Sequence, residues 1–573
     1  MMIRSLLLFF GAVSLAAAQN IVPPAPSMVD AGKALTQPTI RFADATQKSG
    51  IDFVHSIGSA KLGSLLEGTG AGCLWIDYNN SGLPSLYVVN GRPLADDMHP
   101  YPLKVKLNPP PHNHLYRNDG NGHFTDVTKE SGLDPDMYSV AVTAADYDND
   151  GYEDLLVTGY GKVVLYHNDG NGHFTDVTAK AGIKVKGWAI SSTWLDYDKD
   201  GCVDLFVGRY VKFDPKYRAF YAADDYPGPL DYAGETNMLF HNNCDGTFKD
   251  VSDKSGISAF IGRTMGVTAA DFDNDGWDDI YVANDSTQNF LFHNKHDGTF
   301  AEIANETNSA YGQDGEATSS MGPVAADFWG RGVLDLWVTD GSYNRFLKNL
   351  GAPQLGSSNS PKDWKGFDDV TAASRISQTE AQYVSWGSGV YDFDNDGLLD
   401  IMVFHGGLIH MIPQEHTVFR GMGNGKFADV SRQAGSVLSK RTVARGACFA
   451  DYDNDGKVDA YVVNLGAEGT LIHNVSAHAG HWVEIKLVGT ESNRDGIGAR
   501  IEVLAGSKRQ TAERTASSGY LSQNDSRVHF GLGASTIIDK LIVRWPSGIV
   551  QTLASQPVDR VLTVQEPGER KPR

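Results

Sequence analysis

The 573-residue chain carries 70 acidic against 49 basic side chains, a formal charge of −21, which argues against a nucleic-acid-binding surface. Its length suggests two to four domains unless the sequence repeats, and its four cysteines are too few for a disulfide scaffold. Beyond the N-terminus no run approaches the ~18 apolar residues of a membrane span.

Met1 to Ala18 reads as a secretory signal: Arg4, an apolar core over residues 6–15, then Ala16-Ala17-Ala18 before Gln19, the order of such segments. Residues 19–40, with Pro23, Pro24, Pro26 and Pro38, read as a linker. The mature chain is therefore expected to be exported, secreted or periplasmic.

The stretch Asp146-Tyr-Asp-Asn-Asp-Gly-Tyr-Glu-Asp154 then sets the pattern. Carboxylates at loop positions 1, 3, 5 and 9, with Gly151 at position 6, make an oxygen-rich cage that suits Ca²⁺. Asp146, Asp148, Asp150 and Asp154 offer side chains and Tyr152 its carbonyl. The loop recurs intact four more times. The second set is Asp196, Asp198, Asp200, Cys202 and Asp204, and the third Asp271, Asp273, Asp275, Trp277 and Asp279. Asp392, Asp394, Asp396, Leu398 and Asp400 form the fourth, and Asp451, Asp453, Asp455, Lys457 and Asp459 the fifth. Two eroded copies begin at Asp77 and Asp327, so the seven starts lie 50 to 75 residues apart, an array of supersecondary units with loop insertions.

Each unit reads as four strands. A small-residue strand such as 140–145 enters the loop, 155–158 leaves it, 163–167 follows, and an Asn-Asp-Gly turn leads to 174–177. The last strand carries Phe-x-Asp-Val-Thr or a variant, at Phe124, Phe174, Phe248, Phe300, Phe367 and Phe427, with a seventh copy at Phe42 ahead of the first loop. Seven loops and seven tags predict an all-β, seven-bladed β-propeller over residues 41–478, its ring closed by the N-terminal strand. The residue five before each loop is small (Gly72, Ala141, Ser191, Gly266, Gly322, Gly387, Gly446), as inner strands crowding an axis require.

All acidic loops then share one face, and the connections between second and third strands share the other. The long insertions Asn90–His112 and Arg209–Glu235 are of the second kind, and the later one carries Tyr210, Tyr217, Tyr221, Tyr226 and Tyr232. Long loops on a rigid array usually carry binding. Candidate ligand-binding residues around that mouth are Glu67, Trp188, Arg263, Trp386 and Arg445, most of them expected to pack. His55 with Glu67 is a candidate acid/base pair that nothing in the sequence brings together.

Cys202 lies in an acidic loop and Cys244 in a later turn of the same repeat, which is compatible with a bridge. Cys73 and Cys448, on equivalent strands of different repeats, are expected to stay free. His167, His241, His293 and His473 share a repeat position with Arg117 and Arg420, which argues against a ligand role there. His99, His112 and His114 are a weak transition-metal candidate. No Ser/His/Asp elbow, H-E-x-x-H or phosphate-cradling loop occurs. Residues 479–565 lack acidic loops and read as a second, sandwich-like β domain, ending in a polar tail at 566–573.

The D-x-D-x-D-G-x-x-D loops with N-x-G-x-F turns resemble FG-GAP/VCBS repeats, as in the integrin α-subunit propeller. Asn493-Arg-Asp-Gly-Ile-Gly-Ala499, Gly519-Tyr-Leu-Ser522, His529-Phe-Gly-Leu-Gly533 and Trp545-Pro-Ser-Gly548 resemble the ASPIC/UnbV domain. The two together resemble the cartilage acidic protein 1 family. That resemblance implies a secreted calcium-binding protein, and the eroded loops depart from the pattern. There is no R-G-D tripeptide, and fold alone does not fix function.

The expectation is thus a monomeric, exported propeller holding about five Ca²⁺ and binding an extracellular glycan or protein. A catalyst using the mouth, lyase-like or a UnbV-like cyclisation enzyme, is the alternative. Four motif aspartates in each of five loops supply nearly the whole acid excess, so bound cations would neutralise much of it.

Overall fold

The computed structural model describes residues 40–59, 62–93, 111–217, 226–351, 364–477 and 480–569. The expected signal segment, the expected linker up to residue 39, His99 and Tyr221 lie outside them. No helix among the described residues is long and apolar enough to cross a membrane.

Seven four-stranded antiparallel sheets follow one another along the chain. The second is typical: Tyr138–Ala145, Asp154–Tyr160, Val164–Asn168 and Phe174–Asp176. The seventh takes its outer strand from the start of the chain, with Phe42 opposite Asn474. The ring therefore closes as the repeat count predicts, leaving no exposed edge between first and last blades.

The Phe-x-Asp-Val-Thr tag has a local cause. The aspartate caps the turn after its own strand, as Asp126 Oδ1 accepts from the Thr128 amide at 2.9 Å. The threonine hydroxyl in turn accepts from the amide opening the third strand: Thr128 from Leu115, Thr178 from Leu165 and Thr371 from Phe346. Thr46 does the same for Leu471, so the N-terminal strand carries its blade's full chemistry across the ring closure.

The small residues sit at a break in the innermost pairing. Register shifts fall between Ser139 and Ala141, Ala189 and Ser191, Thr264 and Gly266, and at the matching place in three more blades. A bulge there bends the strand near the axis.

Residues 481–565 form two further sheets. Four strands (Lys508–Glu513, Arg500–Ala505, Ile537–Arg544, Val550–Pro557) and three (Val528–Gly533, His481–Val488, Arg560–Gln565) share a core of Val483, Ile485, Val503, Phe530, Leu541 and Val543. This is the expected C-terminal β-sandwich-like unit.

Its position is what the sequence left open. The unit covers the acidic-loop face, and its segment 517–525 enters the centre of the ring. Ser517 Oγ donates to the Val267 carbonyl, Gly519 N to Pro323, Gln523 N to Cys73 and Asp525 N to Phe449, so inner strands of four blades are bonded. The Gln523 side chain adds a fifth, exchanging two hydrogen bonds with the Ala144 backbone. Tyr520 and Leu521, both fully buried, pack among Val140, Ile190, Met265, Met321 and Trp386. A Cβ on Gly72 would lie 1.8 Å from the Leu521 carbonyl and one on Gly322 2.8 Å from the Tyr520 amide. The smallness read as room for neighbouring strands is therefore partly room for this plug.

Candidate metal centres

Every acidic loop is built on its first aspartate. Asp146 accepts from Asp150 N (2.9 Å) through one oxygen and from Gly151 N (2.7 Å) through the other. Asp196, Asp271, Asp392 and Asp451 repeat that pair. The eroded copies keep it too: Asp77 takes the amides of Ser81 and Gly82, and Asp327 those of Arg331 and Gly332. Erosion has removed the later carboxylates and spared the turn.

The aspartate at position 9 closes the cage. Asp154 accepts from Tyr147 N and Asn168 N, Asp204 from Tyr197 N and Asn242 N, and Asp459 from Tyr452 N and Asn474 N. Position 5 folds over position 7, as Asp150 Oδ1 accepts from Tyr152 N at 2.9 Å and Asp200 Oδ1 from Cys202 N at 2.9 Å. Asp275 pairs in this way with Trp277 N, Asp396 with Leu398 N and Asp455 with Lys457 N. The backbone has thus been wound around a point between the carboxylates.

Those carboxylates are short of partners. Asp198 Oδ1, Asp279 Oδ2 and Asp453 Oδ1 are buried with no hydrogen-bond donor. Burial, then Asp495 and Asp154, pushes the Asp146 carboxyl up to about 9; burial, then Glu484 and Asp459, pushes Asp451 up to about 10. Asp273 rises to about 8 through burial and then Asp279 and Asp275. Crowded carboxylates favour a proton or a cation among them, and the all-oxygen donor set suits a hard cation.

Sequence reasoning discounted the repeat-position histidines, yet their rings lie against the loops. His167 Nδ1 is 3.2 Å from Asp154 and 3.3 Å from Asp148, and His241 Nδ1 is 3.2 Å from Asp204 and 3.4 Å from Asp198. His293 and His473 approach Asp279 and Asp459 at 3.0 Å. Arg420 stands there in blade six, 2.7 Å from Asp394 and 2.5 Å from Asp396. In the eroded fifth loop Arg331 Nη2 reaches Asp335 at 2.7 Å, so a guanidinium already supplies positive charge inside it. The recurrence of His-Asn at the end of the third strand was the available signal. His114 instead bonds Asp126 at 2.8 Å and stacks on His112, with ring centroids 4.2 Å apart.

Position 4 was also missed. Asn80, Asn149, Asn274, Asn395 and Asn454 adopt φ of 53 to 63°, where asparagine is tolerated better than most residues. Their side-chain amides donate to the carbonyl of the glycine in the next loop: Asn80 to Gly151, Asn149 to Gly201, Asn274 to Gly332, Asn395 to Gly456 and Asn454 to Gly82. The last of these crosses the ring closure. Between the third and fourth loops, Lys199 lies over the Trp277 ring at 4.5 Å instead. These contacts link six of the seven neighbouring loop pairs around the circle, all but the fifth and sixth.

The C-terminal unit grips that circle. Arg500 donates to the Asp271 carbonyl and Arg527 to that of Asp451, while Asp495 and Glu513 accept from the amides of Asp146 and Asp271. Lys486 lies 3.4 Å from Asp77.

On the opposite face, the five candidate mouth residues are held by the fold. Arg445 is fully buried, lies 3.8 Å from the Trp386 ring and donates to the carbonyls of Gly68, Ala444 and Gly407. Trp188 is sealed beside Tyr210, and Glu67 accepts from Gly63 N and Ser64 Oγ. Arg263, the one partly exposed, braces the second insertion through the carbonyls of Pro229 and Tyr232. His55 is buried, its pKa pushed down to about 3 by burial and then Arg445, and it accepts from Gly466 N. Cys202 and Cys244 are joined in a disulfide; Cys73 and Cys448 are buried free thiols.

Residues 77–157, 146–207, 222–282, 271–338 and 392–462 match the FG-GAP-like repeat, and together they span more than half of the chain. The chain belongs to the FG-GAP repeat family. Residues 489–571 of this FG-GAP protein match the ASPIC and UnbV domain. It is homologous to cartilage acidic protein 1, being 26% identical over 334 residues to that of Xenopus tropicalis, covering 56% of this chain and 47% of the relative. The Homo sapiens protein is 25% identical over 330 residues, covering 56% and 46%. The chain thus spans about half the length of the curated relatives it matches. Among solved structures, an Agrocybe aegerita lectin described as recognising non-reducing terminal N-acetylglucosamine aligns at 16% identity and TM-score 0.36, covering 69% of this chain and 85% of that one. Rhamnogalacturonan lyase YesW aligns at 13% and TM-score 0.36, covering 74% and 76%.

Proposed function

We propose that the chain is an exported, calcium-binding propeller that serves as a binding or adhesion module for a glycan or protein. The observation that carries this reading is the recurrence of one carboxylate cage in five loops, three of which hold a buried oxygen, on Asp198, Asp279 and Asp453, without a hydrogen-bond donor. The candidate ligands are the aspartates at positions 1, 3, 5 and 9 with the position-7 carbonyl, which is that of Tyr152 in the first intact loop. At about 1 mM Ca²⁺ and a Kd of about 0.1 mM, each site adds about 1.4 kcal/mol, so five independent sites add about 7 kcal/mol. That is enough to decide whether the ring persists.

The binding half of the reading looks to the insertion face, because the C-terminal unit covers the other. Leu230, Leu408 and Ile412, 66, 44 and 51% exposed, sit in connections between second and third strands there. An enzymatic use of the mouth would need groups other than His55 and Glu67, both of which are buried.

Thermal melting tests the calcium reading. Chelation should lower the melting temperature by about 10 °C, with recovery on Ca²⁺ but not Na⁺ addition; an unchanged melting temperature sinks it. Glycan-array or pull-down binding that Leu408→Asp and Ile412→Asp abolish, with folding intact, would support the insertion face. Binding indifferent to both would move the ligand elsewhere.

A further inference from the structure

A cavity of about 480 Å³ lies between blades five and six and the C-terminal unit, within the size range of small-molecule sites, about 300–1,000 Å³. It adjoins the loops that begin at Asp327 and Asp392 but is larger than either cage, and it is remote in the fold from the insertion face. Its walls are mixed. Trp329, Leu398 and Phe530 are among its apolar side chains, and residues 508–531 contribute most of its polar ones.

Apart from Arg514, the charged groups of the lining are already engaged. Lys508 bonds the Asp396 carbonyl, Arg509 pairs with Glu502, and Arg527 pairs with Asp525 and Glu484. Glu513 pairs with Arg500. Asp327 and Asp392 each accept two amides of their own loops. Arg514 lies 3.9 Å from Glu153, and its Nε and Nη2, though without a hydrogen-bond partner, are sealed from solvent and so do not open onto the cavity. A charged ligand would enter with no free counter-charge, a heavy desolvation penalty.

The unpartnered groups that are not sealed from the cavity are neutral. Tyr391, Thr515 and Ser518 all line the cavity, and among the described residues none of their hydroxyls has a hydrogen-bond partner. Asn524 commits its carbonyl oxygen to Phe449 N, which leaves its amide hydrogens for a guest. Unspent hydroxyl and amide groups beside an indole and a phenyl ring match a molecule with alternating hydroxyls and C–H faces. We infer that this inter-domain cavity is a binding site for a neutral, polyhydroxylated ligand of mono- or disaccharide size.

Saturation-transfer NMR on the full chain tests this with D-glucose, D-galactose, N-acetylglucosamine, maltose and cellobiose, each at about 20 mM, a level that reveals Kd values in the millimolar range. At least one sugar should give saturable transfer. Tyr391→Phe and Ser518→Ala should each raise its Kd about 5-fold, the loss of one hydrogen bond, with the melting temperature unchanged. Should Tyr391→Phe fail to fold, Ser518→Ala alone decides. Silence from all five sugars overturns the site. Transfer that the substitutions leave unchanged also overturns it, because the sugar would then be bound elsewhere, the insertion face included.

Discussion

Asparagine is the residue that turns separate blades into a ring. Asn242, fully buried, donates to the Tyr147 carbonyl of the preceding blade and to Val203 of its own. Asn118, Asn168, Asn294, Asn349 and Asn474 make the same two-blade contact. Asn242→Ala would strand two buried carbonyls, so denaturant unfolding should show a loss of about 2–4 kcal/mol; a loss below about 0.5 kcal/mol would deny the clasp. His416 is a second residue with a readable consequence. Its Nδ1 accepts from His405 N and its Nε2 lies 3.0 Å from Thr442 Oγ1, and burial, then His405, pushes its pKa down to about 3. A histidine neutral when folded and protonated when unfolded stabilises the fold fully above pH 6.5, and that contribution is lost as pH falls towards 3. At pH 5 the loss is about 2 kcal/mol. Unfolding free energies of His416→Gln should therefore fall less than the parent's between pH 8 and pH 5, and parallel curves would refute the assignment.

At the scale of the element, the acidic loop is a turn first and a cage second. Loop five keeps the amide bonds to Asp327 but has Trp329 and Arg331 where carboxylates stand elsewhere. On the calcium reading proposed above, Asp146→Asn removes one Ca²⁺ per chain, by calorimetric or mass-spectrometric count, whereas Asp327→Asn leaves the number unchanged. Equal losses would mean that loop five binds as well. Seven blades and their order were legible because one pattern of turns and strands repeats until coincidence fails, and the closing strand because its tag stands at Phe42 ahead of the first loop, although its partner Asn474 lies at the far end of the ring. The tag aspartate and threonine were visible as a pattern, but their hydrogen bonds to turn and third strand needed coordinates. The position-4 asparagines were in plain view, yet their partners are the next loop's glycines, and no spacing within one repeat points there.

The whole molecule is a ring with a stopper. Tyr520 donates to the Thr69 carbonyl at 3.0 Å, its ring centroid 5.1 Å from that of Trp386, and its neighbours come from several blades. Tyr520→Ala should lower stability by about 3–5 kcal/mol. Because the plug bonds five blades, calorimetry of the parent should show one transition for propeller and C-terminal unit, which the substitution lowers or splits. Two independent transitions in the parent would contradict that coupling.

By itself the sequence determined the blades, their number, the seam and the candidate cation loops, since a repeated local code of turn residues and strand alternation specifies each unit. Only the tertiary structure decided that the C-terminal unit lies on the acidic face, that its Tyr520 segment fills the axis, and that the candidate mouth residues pack rather than protrude. Those outcomes depend on contacts between segments hundreds of residues apart that share no periodicity. They were settled by which buried carboxylates, amides and apolar side chains could satisfy one another once the ring had closed.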